Sequence, residues 1–186
     1  MRDPKRVAIL ISGRGSNMRA LVEQAEVYEV ALIASNKPEA LGLEWARSRG
    51  LSTWELESKG IEKEAFDRQL SAALDDHSVG TIALAGFMRI LSPWFIDEWR
   101  GRIVNIHPSL LPKYRGLDTH ARAIAAAEPV SGCSVHLVTE ELDAGEVLGQ
   151  TQVPILPTDD VQSLEQRVLA EEHRLYPKVL SEFVTR

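Results

Sequence analysis

The chain has 186 residues, of which 44% are hydrophobic and 26% charged, an ordinary globular composition with enough length to bury a core without disulfides or metal. A net charge of −6 and a pI near 5.4 argue against nucleic acid as a partner, because that binding rests on a basic excess that neutralises phosphates. Cys133 is the only cysteine, no run approaches a membrane span, and the apolar start Val7 to Ile11 is too short for a signal segment, so a cytoplasmic protein in a reducing compartment is expected.

In chain order, Val7 to Ser12 reads as a strand and Asn17 to Glu26 as a helix. Val30 to Ser35 is a second strand, followed by a helix from Glu39 to Arg49 closed by Gly50. Leu51 to Leu56 is a weak third strand, Ile61 to Leu74 a helix, and Val79 to Ala85 a fourth strand. A short helix, Pro93 to Trp99, leads to a fifth strand, Ile103 to Ile106. Strands alternating with helices of this length imply right-handed crossovers and a parallel sheet, and near-continuous apolar strands imply cover on both faces. Beyond Gly116 the pattern changes. Thr119 to Ala127 reads as a helix, and Cys133 to Val138 with Val147 to Pro154 as an antiparallel hairpin. A long helix from Asp159 to Val184 closes the chain, with Val161, Leu164, Val168, Leu175, Val179 and Phe183 at helical spacing and a kink expected at Pro177. With no internal repeat or linker, the expectation is one domain over residues 1–186. Its class is α/β, a Rossmann-like open twisted sheet, mostly parallel with an antiparallel C-terminal part, and helices on both faces.

Ligands of an open parallel sheet bind beyond the carboxyl ends of its strands. Those ends read "SGRGSN", "SNKP", "GFMRIL" and "NIHPS", and they collect glycines, amides, an arginine and a histidine. Gly13 to Asn17 joins a strand to a helix N-terminus, where free N–H groups favour an anion. A dinucleotide fingerprint fails, because Met18 stands at the third glycine and no carboxylate ends the second strand. A single phosphate suits the loop better; the alternative is a tight turn with Ser16 or Asn17 as N-cap. Asn105 and His107, two apart at a strand end, share one face. An amide donor beside an imidazole can stabilise an oxyanion and move a proton, although a lone N-x-H is as readily a satisfied strand end. A nearby carboxylate would raise the imidazole pKa above ~6.5, and Asp143 is the candidate. His107, His120, His136 and Asp143 lack zinc-site spacing, so no metal is expected. Cys133 and His136 lie in an apolar strand run, and Cys133 reads as a small buried hydrophobe.

The segments "LISGRGSN", "SNKP", "LAGFMRILSP", "NIHPSLLPKYRG" and "SVHLVTEELDAG" follow one another in that order. Together they resemble the folate-dependent formyltransferases, nearly end to end. "NIHPSLLP" with a later "LDAG" marks the family as a group, and "GRGSN" with the short chain points to the branch that formylates glycinamide ribonucleotide (GAR) in purine synthesis.

The resemblance implies that 10-formyltetrahydrofolate is a co-substrate, not a tightly bound cofactor. It implies an N-terminal half, about 1–100, that binds phosphate and a C-terminal half, about 101–186, that carries catalysis and folate. Asn105, His107 and Asp143 match the catalytic trio. Gly15, Ser16 and Asn17 match the phosphate loop, and Leu169, Ala170, Glu171 and Glu172 the part of the last helix that reaches the ribonucleotide. Met88, Arg89, Ile90 and Leu91 line one side of the folate pocket, with Val138, Thr139, Glu140, Glu141, Leu142 and Asp143 on the other and Asn105 between. Lys63 stands where some members carry an arginine near folate, and Asp118 where some carry a histidine, so Asp118 is assigned no role. The bond before Pro112 is implied to be cis. The implied chemistry is attack of the GAR amine on the formyl carbon, with Asn105 and a protonated His107 holding the tetrahedral oxyanion and Asp143 keeping His107 charged. The rivals are formylation of methionyl-tRNA, hydrolysis of the formyl-folate, and a non-catalytic folate or nucleotide sensor. The partners expected are small molecules, with neither nucleic acid nor membrane, and the oligomer is left open between monomer and homodimer.

Overall fold

The computed structural model describes all 186 residues. In chain order the elements are β1 (Asp3–Ile11), α1 (Ser16–Glu23), β2 (Glu29–Ser35), α2 (Leu41–Ser48), β3 (Thr53–Glu55), α3 (Lys63–Asp76) and β4 (Val79–Leu84). There follow α4 (Pro93–Glu98), β5 (Ile103–His107), α5 (Thr119–Ala125), β6 (Val130–Leu137), β7 (Val147–Pro154) and α6 (Val161–Phe183). All seven strands form one sheet in the order β3-β2-β1-β4-β5-β6-β7. Neighbours from β3 through β5 are parallel, while β6 runs antiparallel to both β5 and β7, as the sequence pattern led one to expect.

The core shows why the strands read as continuous apolar runs. Successive side chains of a strand point to opposite faces. On β1, Val7, Ile9 and Ile11 enter one apolar cluster with residues of α1, α2 and α6. Ala8 and Leu10 enter a second cluster with Phe66, Leu70 and Leu74 of α3 and Phe95 and Ile96 of α4. Both faces are therefore covered, and no helix is long and apolar enough to cross a membrane.

Element ends depart from the sequence reading where polar backbone pairing or capping sets them. β1 starts at Asp3, not Val7, because Asp3 N–H donates to the Ser78 carbonyl and the Thr81 hydroxyl donates to the Pro4 carbonyl, polar bonds that need no apolar side chain. α3 starts at Lys63 because the Glu62 side chain accepts from Ala65 N–H and caps it. α6 opens on a reciprocal Asp160–Ser163 capping box and runs on through Pro177, which forfeits one N–H bond without ending the helix. Its neighbour Tyr176 is fully buried, and the hydroxyl lies 3.0 Å from the Leu84 carbonyl and 3.1 Å from that of Val104, pinning α6 across β4 and β5.

The strand order reverses between β1 and β4, which places the crevice there. Ser12 knits its rim together. Its N–H donates to the Gly86 carbonyl (3.1 Å), its hydroxyl donates to Asn36 Oδ1 (2.5 Å), and its oxygen accepts from Met88 N–H (2.7 Å).

Candidate active site

At the end of β1, Gly15 occupies the N-cap of α1 at φ 70°, and an added Cβ would meet Met18 Cε at 2.9 Å. No side chain caps the helix and no acidic residue lies in its first turn, so its leading N–H groups and positive dipole end stay open to an anion. The turn alternative with Ser16 or Asn17 as N-cap does not hold. Asn17 instead points inward, where its Nδ2–H donates to Glu172 Oε2 at 2.7 Å. That bond joins the loop to α6 between residues 155 positions apart. Both side chains are buried, and burial pushes the Glu172 pKa up to about 7 against the pull of the Asn17 bond. Asn17 Oδ1 is buried without a partner. Leu169 is half-buried and Ala170 exposed beside them, while Glu171 is drawn into an ion pair with Arg174.

β5 carries Asn105 and His107, and β6 lies antiparallel beside it with His136 opposite Asn105 and Ser134 opposite His107. Ser134 holds the main chain beyond His107. Its hydroxyl donates to the Ser109 carbonyl (2.6 Å) and accepts from Leu111 N–H (3.0 Å) and Gln150 Nε2 (2.8 Å). Thr119 adds a bond to the Pro108 carbonyl (2.8 Å), Leu111 is buried, and the Leu111–Pro112 bond is cis as the resemblance implied. The segment after β5 is thus a braced platform.

Asp143 reaches this platform from the β6–β7 connection. Its Oδ2 lies 3.4 Å from His107 Nδ1 and accepts Gly116 N–H at 2.9 Å, while its Oδ1 lies 3.5 Å from His136 Nε2. One carboxylate faces two imidazoles, one per oxygen. His107 Nε2–H donates to the Tyr114 carbonyl at 2.9 Å. The expected charge on His107 needs correction. Burial pulls its pKa below the ordinary value, and the Tyr114 carbonyl and the Asp143 charge only partly restore it. Burial would raise the Asp143 carboxyl in turn, but the His136 ring, Gly116 N–H and His107 bring it below its ordinary value. The resting pair is therefore a neutral imidazole beside an ionised carboxylate, because the compact imidazole loses more solvation than one carboxylate returns.

Near the start of β5, where the α4–β5 connection meets the end of β6, a cavity of about 420 Å³ is lined by Val138 to Glu141 with Ile96, Arg100, Gly101 and Leu137. Met88, Ile90 and Leu142, in the segments that follow β4 and β6, stand open to solvent at 69%, 68% and 59% exposure. Arg89 lies over the Phe66 ring at 4.6 Å with its Nε buried and unpaired. Leu91 is packed into the core, which leaves chiefly its main chain to a ligand. Lys63 is exposed at the start of α3, and Glu141 is tied to Arg115 of the platform. Cys133 is a buried thiol that burial raises to about 12, the small hydrophobe expected. Ser12, Ser134, His136 and Ile96 were given no part in the site from the sequence, and only strand register could have pointed to His136 and Ser134.

An anion loop at the switch point of a parallel sheet, with an amide, an imidazole and a carboxylate grouped two strands away, suits a group-transfer protein that takes a phosphorylated ligand. The sequence model of the formyl transferase family matches residues 5–180, and the chain belongs to that family. A phosphoribosylglycinamide formyltransferase of Escherichia coli (strain K12) is 43% identical over 182 residues, covering 95% of this chain and 86% of that protein. A trifunctional purine biosynthetic protein adenosine-3 of Drosophila melanogaster is 47% identical over 97% of this chain, which spans only 14% of that protein's length. The crystal structure of a phosphoribosylglycinamide formyltransferase from Brucella melitensis matches with a TM-score of 0.93 at 46% identity, covering 100% of this chain and 97% of that one.

Proposed function

We propose that this protein transfers the formyl group of 10-formyltetrahydrofolate to the amine of GAR, giving formyl-GAR and tetrahydrofolate in purine biosynthesis. The placing of His107 against the Asp143 carboxylate, with Asn105 on the His136 ring that faces the same carboxylate, in a chain with an open anion loop, carries the reading. The names of the Escherichia coli and Brucella melitensis relatives support it.

In this reading the α1 N-terminus with Gly15, Ser16 and Asn17 holds the ribonucleotide phosphate, and Leu169 to Glu172 meet the rest of that substrate. Met88 to Leu91 and Val138 to Asp143 enclose the folate, with Lys63 at the outer edge. The folate binds and leaves as a co-substrate. The amine attacks the formyl carbon and forms a carbon–nitrogen bond as the carbonyl pair moves to oxygen. An Asn105 N–H donates to that oxyanion. Neutral His107 accepts at Nδ1 the proton the amine loses, since Nε2–H is held by the Tyr114 carbonyl, and that proton is relayed through water to folate nitrogen 10 as its bond to the formyl carbon breaks. Removing an oxyanion donor costs roughly 10²–10³ in rate.

One assay tests the reading: 10-formyltetrahydrofolate is supplied with and without GAR, and deformylation of the folate is followed. Loss of the formyl group only when GAR is present is the expected result. Equal loss without GAR makes the protein a hydrolase, and no loss with either refutes the proposal.

A further inference from the structure

Directly opposed residues of an antiparallel pair hold their Cβ atoms about 4.5–5.5 Å apart on one face. Register therefore brings the His136 imidazole to the Asn105 carboxamide. His136 Nδ1 lies 2.8 Å from the Leu137 carbonyl oxygen. A carbonyl can only accept, so Nδ1 carries the proton. In the neutral ring Nε2 is then a bare acceptor, and Asn105 Nδ2 stands 3.1 Å from it. The amide oxygen in that place would set lone pair against lone pair. Asp143 Oδ1, at 3.5 Å from the same nitrogen, is an acceptor that favours a proton there, but it lies beyond a good hydrogen bond and the Asn105 amide is nearer. His136 is only 2% exposed, so bulk water does not take over its role.

We propose that His136 is a positioning residue, whose Nδ1–H tautomer, set by the Leu137 carbonyl, fixes the end-for-end orientation of the Asn105 carboxamide. One amide N–H is held by His136 Nε2, and the second, which has no protein partner, is kept for the reacting oxygen. Without an acceptor at Nε2 the carboxamide turns over freely and presents its oxygen to a developing oxyanion. The catalytic consequence rests on the formyl-transfer reading; the tautomer does not.

The experiment has a spectroscopic arm and a kinetic arm. Nitrogen-15 spectra of histidine-labelled, ligand-free protein near neutral pH should show His136 protonated at Nδ1 and bare at Nε2. An Nε2–H tautomer or a doubly protonated ring overturns the proposal. In the kinetic arm, His136→Gln, whose side-chain oxygen can replace Nε2 as acceptor, should keep turnover within about tenfold of wild type, whereas His136→Phe should lower kcat by roughly 10²-fold with little change in either KM. Placed in an Asn105→Ala background, His136→Phe should add almost nothing, since both changes remove one unit. Full additive losses show that His136 acts apart from Asn105 and overturn the proposal. Should the Phe variant fail to fold, the spectrum and the Gln variant decide, a Gln variant as poor as Asn105→Ala counting against it. Wild-type protein without GAR-dependent turnover defeats the functional reading and leaves the spectroscopic arm in force.

Discussion

Glu172 tests how far burial sets charge in this fold. Its side chain sits in a residue only 6% exposed, and the Asn17 amide is its hydrogen-bond partner at 2.7 Å. Desolvation pushes its pKa from the ordinary 4.5 to about 7, with Asn17 opposing and Glu165 adding to the rise. Each unit is worth about 1.4 kcal/mol, so ionising this carboxyl in the folded chain costs on the order of 3 kcal/mol more than in the unfolded chain. The folded chain thus keeps a proton, between about pH 4.5 and about 7, that the unfolded chain has released. Stability falls as pH rises through that window, and the full cost persists above it.

Glu172→Gln removes the ionisation and keeps an acceptor for Asn17. Urea unfolding of both proteins at about pH 5 and about pH 8 should show a gain for the variant that grows with pH, approaching ~3 kcal/mol at the higher value. Taking the difference between the two proteins cancels every other titrating group. A difference that is flat between the two pH values, or that shrinks as pH rises, refutes the reasoning. The variant should also bind GAR more weakly, a carboxylate kept at a cost to stability being one kept for a ligand.

Asn105→Ala should retain the fold by circular dichroism and lose roughly 10²–10³ in kcat, and His107→Ala roughly 10²–10⁴; near-normal turnover removes the residue concerned from the mechanism. Asp143→Asn should lower the His107 pKa further in an NMR titration, since Asp143 is one of the groups holding it up. An unchanged value excludes that electrostatic role. Because the folded His107 pKa lies below the unfolded one, its contribution to stability is complete above ~6.5 and declines on acidification through that value. Tyr176→Phe strips a donor from the buried Leu84 and Val104 carbonyls and should cost about 1–3 kcal/mol in denaturant unfolding, a negligible change showing that α6 is not pinned there.

The sheet was legible because its strands are covered on both faces, so that Val7 to Ile11 and Val79 to Leu84 are apolar at every position but Gly80 and Thr81. The first residues of β1 were not, since Asp3 to Lys5 are exposed and join the sheet through their polar backbone, which leaves no apolar pattern. Asn105, His107 and Asp143 were named from the sequence; the fold sets Asp143 against His107 and brings Asn105 to the neighbouring His136. His136 was read correctly as a strand residue and missed as their neighbour, because its opposition to Asn105 depends on the β5–β6 register and not on any local pattern. The Asn17–Glu172 contact is invisible for the same reason. The charge of His107 was misjudged because a sequence names the partner carboxylate but does not weigh it against the cost of burial.

That last correction changes what the site is suited to do. β6 returns antiparallel beside β5, so a single strand supplies both Ser134 to brace the platform and His136 to meet Asn105. Asp143, turning at φ 50°, then sets one carboxylate against both rings. A His107 charged from the outset could stabilise the oxyanion but could not accept the proton that the attacking amine must lose. A His107 held neutral by burial gains its charge only when the attacking amine gives up a proton and negative charge develops on oxygen. The Asp143 carboxylate, already ionised, lowers the cost of that new charge at the moment it forms. On the formyl-transfer reading, the depressed pKa therefore fits His107 for the part of proton acceptor, with Asp143 stabilising the charge it gains.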